Sequence, residues 1–363
     1  MVKFGIIGLG NMGAGHIENF EKERIKGGKI VAVCDLKEEY KEKYPDYTFF
    51  TDYKEMINSG LIDAVIVATP HYSHTYIGAY CLEQGIHTVV EKPISVHKAD
   101  CEKLIAAHKD PKVKFSAMFN QRTIALHQKV KELIPTLGEI QRVSAIYSNW
   151  FRSQAYYNSG TWRATWSGEG GGVLLNQCPH NIDLLYWWLG MPKKIYAKCE
   201  FSKHHKIEVE DEVNAMWFYE NGAVLQFHTS TGEFPGTSRL EVAGRLGRLI
   251  FEDNIIKVDY NEADTKVFSD TCKGDWDYPV LKESVSFTRP YPFHLTQHAA
   301  IINNVIKAIE DGEELLAPAE QGINSVELAN AMIMSSQLGK EVELPLKGEE
   351  YAKILNDLIE SVK

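Results

Sequence analysis

Residues 2–35 read VKFGIIGLGNMGAGHIENFEKERIKGGKIVAVCD, and this stretch decides the fold of the first third of the chain. Val2 to Ile7 is an apolar run of strand length. Gly8-Leu9-Gly10-Asn11-Met12-Gly13 follows at once, residues 14–25 carry a helical pattern, and residues 29–35 are a second strand ending on Asp35. Strand, glycine turn, helix, strand and carboxylate, in that order, make a dinucleotide site. Gly8 permits the tight turn, Gly10 lets the backbone approach a pyrophosphate, and Gly13 lets the helix pack against the strand. The helix N-terminus offers free N–H groups and partial positive charge to the phosphates. Asp35 is placed to accept hydrogen bonds from the adenosine ribose. Its charge repels a 2′-phosphate, so NAD is expected over NADP, with Lys37 softening the preference.

Working outward, strand and helix patterns alternate up to about residue 120. Asp63 to Thr69 is a fully apolar run stopped by Pro70, as in a central parallel strand covered on both faces. Residues 87–90 and 114–119 read as further strands, with helices at 53–59, 73–84 and 99–108 between them. This predicts a doubly wound parallel sheet, a Rossmann domain over residues 1–121. Beyond it the periodicity changes. Residues 141–151, 193–201, 213–219, 223–229, 238–243 and 248–251 are strand-like, several alternate in polarity, and Glu220-Asn221-Gly222 is a hairpin signal. An α+β domain with a large, mostly antiparallel open sheet is expected over 122–363, closed by long amphipathic helices at 294–310 and 321–338.

With 363 residues, two domains are the natural expectation. The net charge of −10, without a basic cluster, argues against a nucleic-acid surface. No segment approaches the length of a membrane helix, and the N-terminus runs straight into a strand, so a cytoplasmic enzyme without a signal peptide is expected. The six cysteines contain no CxxC pair and read as reduced thiols.

Open parallel sheets bind ligands at the carboxyl ends of their strands. Thr69 to His74 and Glu91-Lys92-Pro93 lie at such ends. Burial would lower the Lys92 pKa and let it bind a substrate hydroxyl and take part in proton transfer, although a surface lysine can also follow a strand. Three glycines at 170–172 allow close backbone approach to a ligand. Pro179 suits a first helical turn and Gly190 a helix end. His180 then sits at the positive helix end, which favours its neutral form and a general-base role; helix capping is the competing reading. Asp183 reads as an acid of that first turn. Arg122, Trp162 and Arg163 are candidates for a polar pocket, with core packing the alternative for Trp162. His294 and His298 are one turn apart, without an acid to complete a metal site, so a surface pair is expected and no metal.

These motifs together resemble the family of glucose–fructose oxidoreductase, inositol dehydrogenase and the rhizopine-catabolism protein, over essentially the whole chain. GLGNMG with Asp35, Thr69-Pro70 with His74, EKP at 91–93 and GGG…PHNIDLLYWWLG stand in the family's order. The resemblance implies NAD(P)-dependent hydride transfer at a carbon of a sugar, polyol or inositol, with Lys92 and His180 catalytic. It places Gly8, Gly10, Asn11, Met12, Gly13, Asp35, Thr69, Pro70, His74, Glu91, Lys92 and Asn120 at the cofactor. By their residue types Asn176, Arg163, Trp162 and Arg122 are expected to hold the substrate. The resemblance also implies a homodimer or homotetramer formed through the C-terminal sheet. Two positions depart from the pattern: Asn176 stands where many relatives carry Asp, and His71 where Asn is common. Other outcomes consistent with the resemblance are a glycosidase that oxidises its substrate transiently and a non-catalytic cofactor-binding regulator.

Overall fold

In the computed structural model, which describes residues 1–288 and 297–362, the N-terminal sheet has six parallel strands. They are β1 (Val2–Ile7), β2 (Gly28–Cys34), β3 (Thr48–Phe50), β4 (Ala64–Val67), β5 (His87–Val90) and β6 (Phe115–Ala117), in the order β3-β2-β1-β4-β5-β6. All four residues of β4 are buried because helices cover both faces of the sheet. The order reverses between β1 and β4, so the crevice at their carboxyl ends is the natural ligand position.

The second sheet has nine strands: β7 (Ile140–Tyr147), β8 (Lys194–Phe201), β9 (Glu210–Phe218), β10 (Val224–Ser230), β11 (Ser238–Gly244), β12 (Gly247–Glu252), β13 (Ile255–Asn261), β14 (Leu281–Thr288) and β15 (Val342–Glu343). The order is β14-β13-β12-β11-β7-β10-β9-β8-β15, antiparallel except where β7 meets β10. The helix Gly322–Leu338 lies on one face, where the Ser335 and Ser336 hydroxyls accept from the backbone N–H groups of Ala197 and Cys199. Tyr196 and Met216 stand exposed on the other face.

The strands β13, β14 and β15 and the helix Gly348–Ser361 were not expected from the sequence. The turn between β12 and β13 puts Asp253 and Asn254 at φ 52° and 58°, the positive values of a type I′ hairpin that these residue types tolerate. The division near residue 121 is also less clean than expected. The helix Gln297–Glu310 returns from the C-terminal half, and its Ala299, Ile301, Ile302, Val305 and Ile306 join the core of Phe4, Ile6 and Val33. The cause is local: Gly28 leaves β2 so close to this helix that a Cβ there would meet Ile306 Cδ1 at 2.8 Å.

Candidate active site

The glycine turn is built for close approach. Gly8 sits at φ 90°, and a Cβ on Gly13 would fall 1.9 Å from the Gly8 carbonyl oxygen. Gly10 has open space where its Cβ would be, and the helix Asn11–Glu21 begins on the next residue with Asn11 and Met12 exposed. The Asp35 carboxylate, at the end of β2, accepts from the Leu9 N–H at 2.8 Å and the Lys37 N–H at 3.0 Å. It therefore ties the glycine turn to the neighbouring strand end. An uncovered helix N-terminus, a backbone without side chains and a carboxylate beside them fit a dinucleotide.

After β4, Thr69 Oγ1 accepts from Ser73 Oγ at 2.7 Å, and Pro70 stands exposed. His74 lies below the surface. Its two ring nitrogens meet the carbonyl oxygens of Pro93 at 2.8 Å and Thr69 at 2.7 Å. Burial, opposed by those carbonyls, lowers its pKa. His74 thus ties the two strand-end loops together. Asn120 is buried too; its amide donates to Gln297 Oε1 at 3.1 Å and faces His298. Glu91 is buried against His16, with Nε2 at 2.8 Å from Oε1. Burial pushes the Glu91 carboxyl up, but the His16 bond and charge, with His298 and Lys92, outweigh it and hold it at about 2.

Lys92 follows β5, and the bond to Pro93 is cis. Its Nζ donates to the Asn176 carbonyl at 3.0 Å, which joins the first sheet to the second half of the chain. Burial lowers the Lys92 pKa, while Glu91 and Glu169 oppose the fall. Asn176 belongs to a π turn, Val173–Gln177, whose tail bond runs from Cys178 N–H to the Val173 carbonyl at 2.7 Å. Such turns re-aim side chains at functional sites. Close glycines allow it: a Cβ on Gly172 would fall 2.0 Å from the Glu210 carbonyl oxygen. The helix Pro179–Leu189 follows, with Pro179 in its first turn and Gly190 closing it. His180 is in that first turn, half-buried. Burial and the Lys92 charge push its pKa down to about 3, so the ring is neutral at physiological pH.

Arg163 and Trp162 meet at this cleft. The Arg163 guanidinium lies 4.6 Å from the ring centres of both Trp162 and Tyr156, and Nη1 donates to the Tyr156 hydroxyl at 2.9 Å. Trp162 is half-buried and stands edge-on to His71 at 6.1 Å; the core-packing tryptophan of this stretch is Trp166. His71 donates through Nδ1 to the Glu169 carbonyl, 3.2 Å away, and burial, reinforced by His74 and Lys92, pushes its pKa down to about 3. A neutral ring meets that carbonyl as an N–H donor.

Other expectations are corrected. Arg122 is 1% exposed and grips Asp183 with two bonds, Nε to Oδ2 at 2.9 Å and Nη2 to Oδ1 at 2.6 Å; Nη1 goes to Gln321 at 2.6 Å. Its donors are spent inside the protein, so it is a core ion pair and not a substrate contact. The same pair explains Asp183. His298 is half-buried: it packs edge-on to His16 at 5.8 Å and beside Asn120. His294 lies outside the described residues. Among the described residues no group of three or more metal-ligating side chains converges. Sequence reading also missed Glu169, a fully buried carboxylate in the middle of this cluster. Its only signal was a charged residue inside a glycine run.

A glycine turn with a strand-end acid, on a parallel sheet whose order reverses between β1 and β4, defines a dinucleotide-binding fold. The chain belongs to the glucose–fructose oxidoreductase, inositol dehydrogenase and rhizopine-catabolism family: residues 2–119 match its NAD-binding Rossmann oxidoreductase model and residues 127–250 its C-terminal domain. It is 27% identical to myo-inositol 2-dehydrogenase of Thermotoga maritima over 70% of this chain and 76% of that protein. It is 25% identical to the NADP-dependent scyllo-inositol 2-dehydrogenase IolW of Bacillus subtilis, over 94% and 96%. Some matches are partial; that to inositol 2-dehydrogenase of Salmonella typhimurium spans 54% of that protein. Among solved structures, the WlbA dehydrogenase of Bordetella pertussis, in complex with NADH and UDP-GlcNAcA, shares the fold at TM-score 0.79 and 24% identity, over 95% of this chain and 99% of that one.

Proposed function

We propose that this protein interconverts a hydroxyl and a carbonyl on a sugar, inositol or other polyol, using NAD in preference to NADP. The observation that carries the reading is the 3.0 Å bond from Lys92 Nζ to the Asn176 carbonyl, which ties the end of the first sheet to the turn leading into the His180 helix; burial and the Lys92 charge hold that imidazole neutral. When bound, the nicotinamide supplies the hydride acceptor or donor. Gly8, Gly10, Asn11, Met12 and Gly13 hold its phosphates, Asp35 its ribose, and Thr69, Pro70 and Glu91 border it. The Lys92 ammonium donates to the reacting oxygen and stabilises developing negative charge there. Neutral His180 takes the hydroxyl proton during oxidation and returns it during reduction. Asn176 and Arg163 supply hydrogen bonds to ring hydroxyls, and Trp162 supplies a flat apolar face beside them.

We place the reaction in the cytoplasm: five of the six cysteines are buried thiols, and no helix among the described residues is long and apolar enough to cross a membrane. A homodimer or homotetramer would cover the face bearing Tyr196 and Met216; light scattering on the purified protein tests it against a monomer. The activity is tested by nicotinamide absorbance with NAD+ and NADP+ against free sugars, inositols, sugar phosphates and nucleotide sugars. Net NADH from one of these supports the reading. Cleavage of an aryl glycoside without net NADH would replace it with the transient-oxidation glycosidase, and tight NADH binding with no turnover of any kind with a sensor.

A further inference from the structure

Glu169 is 1% exposed, and its surroundings are those of an ion. Oε2 accepts from the Ala164 N–H at 2.7 Å, Oε1 accepts from the Asn176 side-chain amide, and the Arg163 guanidinium lies 3.8 Å from Oε1. Lys92, whose Nζ holds the Asn176 carbonyl, is within electrostatic reach. Both carboxylate oxygens thus face N–H donors, an arrangement that favours the carboxylate over the acid. The amide is oriented by the same contact. With Nδ2 turned to Glu169, Asn176 keeps Oδ1 as a hydrogen-bond acceptor.

We propose that Glu169 is the positioning carboxylate of the active site: it fixes Asn176 as an acceptor for a substrate hydroxyl and, beside Glu91, supplies counter-charge to the Lys92 ammonium. The inference rests on the site reading above. Asn176 is neutral and cannot supply that charge itself, so acceptor and charge are divided between two residues, the charge one layer behind the cleft. If Glu169 takes up a proton, its O–H and the Asn176 Nδ2 become two donors facing each other. The amide then turns over, a donor replaces the acceptor, and Lys92 loses a counter-charge.

The groups facing Glu169 set when this happens. Lys92 and Arg163 favour the ion. Glu210, across the glycine run, disfavours it, and neutral His71 contacts only its carbonyl. Burial dominates and raises the Glu169 pKa to about 7 despite the Ala164, Arg163 and Asn176 contacts. The arrangement is therefore poised within the working pH range, and the ionised, competent form gains population as pH rises.

The test compares wild type, Glu169→Gln, Asn176→Asp and the double variant on two readouts. The first is pH-dependent labelling of Lys92 by trinitrobenzenesulfonate, located by peptide mass spectrometry. It needs neither substrate nor bound cofactor. Glu169→Gln is expected to move the labelling midpoint down by about one pH unit, because a neutral Lys92 amine becomes easier to form. The second is kcat and KM with the best substrate of the panel above. Glu169→Gln is expected to lower kcat about 10–100-fold with little change in KM, the scale of a misplaced catalytic group, and to lose the inflection near pH 7. The double variant, with a carboxylate restored one residue nearer the cleft, should recover most of both losses. An unmoved Lys92 midpoint overturns the proposal, as does a kcat profile that keeps its inflection in Glu169→Gln. Lys92→Ala run beside them separates the two claims: if it abolishes turnover while Glu169→Gln does not, the site stands and only the role of Glu169 falls.

Discussion

Replacing Asp183 with asparagine should destabilise the protein and leave substrate affinity intact. Arg122 and Asp183 are 1% and 0% exposed and share two short hydrogen bonds of 2.9 and 2.6 Å. Asparagine keeps the shape but removes the charge and turns an N–H donor toward a guanidinium that can only donate. Removing one partner of a buried pair costs about 3–5 kcal/mol, because the other charge is left without compensation. Here Gln321 still accepts from Nη1, and the Phe119 and Trp187 rings lie 5.5 and 5.6 Å from the guanidinium, so the lower end applies. At roughly 2–4 °C per kcal/mol for a domain of this size, the melting temperature should fall by roughly 6–12 °C. Thermal unfolding followed by dye fluorescence, with KM measured well below the transition, is the assay. A melting temperature near that of wild type together with a large rise in KM would refute the reasoning and return Arg122 to the substrate pocket.

Three further outcomes follow from the same geometry. Gly13→Ala should abolish NADH binding or solubility, since its Cβ would overlap the Gly8 carbonyl at 1.9 Å; fluorescence titration with NADH near wild-type affinity would contradict this. Asp35→Ser should shift the NAD+ to NADP+ preference in kcat/KM by about tenfold or more, equivalent to about 1.4 kcal/mol, by removing a charge that opposes a 2′-phosphate. Burial pushes the Glu210 carboxyl up from 4.5 to about 7. A carboxyl raised on folding stabilises most below its unfolded value, and that stability is lost as pH rises through the folded one. Wild-type stability should therefore fall between about pH 4.5 and 7, by up to about 3 kcal/mol from this group, and Glu210→Gln should flatten the slope seen in denaturant melts.

The first sheet was legible because a parallel strand covered on both faces is written as an apolar run, as in Ala64–Val67, and because glycines at 8, 10 and 13 have few other uses beside a strand. The weakest readings were at exposed edges. In Leu281–Thr288 most side chains face solvent, so burial writes no strong pattern there. Arg122 shows a different limit. Whether an arginine binds a ligand or a buried acid depends on a partner 61 residues away, and nothing local distinguishes the two. The surroundings of His298 and His74 likewise come from segments distant in the sequence. Glu169 was missed because a lone glutamate among glycines reads as loop, and only the fold brings Asn176, Arg163 and Lys92 around it.

Lys92→Ala tests the central claim most directly, with NADH affinity and NADH formation on the panel measured for the same preparation. The account predicts NADH affinity within a few-fold of wild type and a kcat lowered about 100-fold or more, the scale of a lost acid–base group. Turnover near the wild-type rate would contradict it and remove Lys92 from the chemistry.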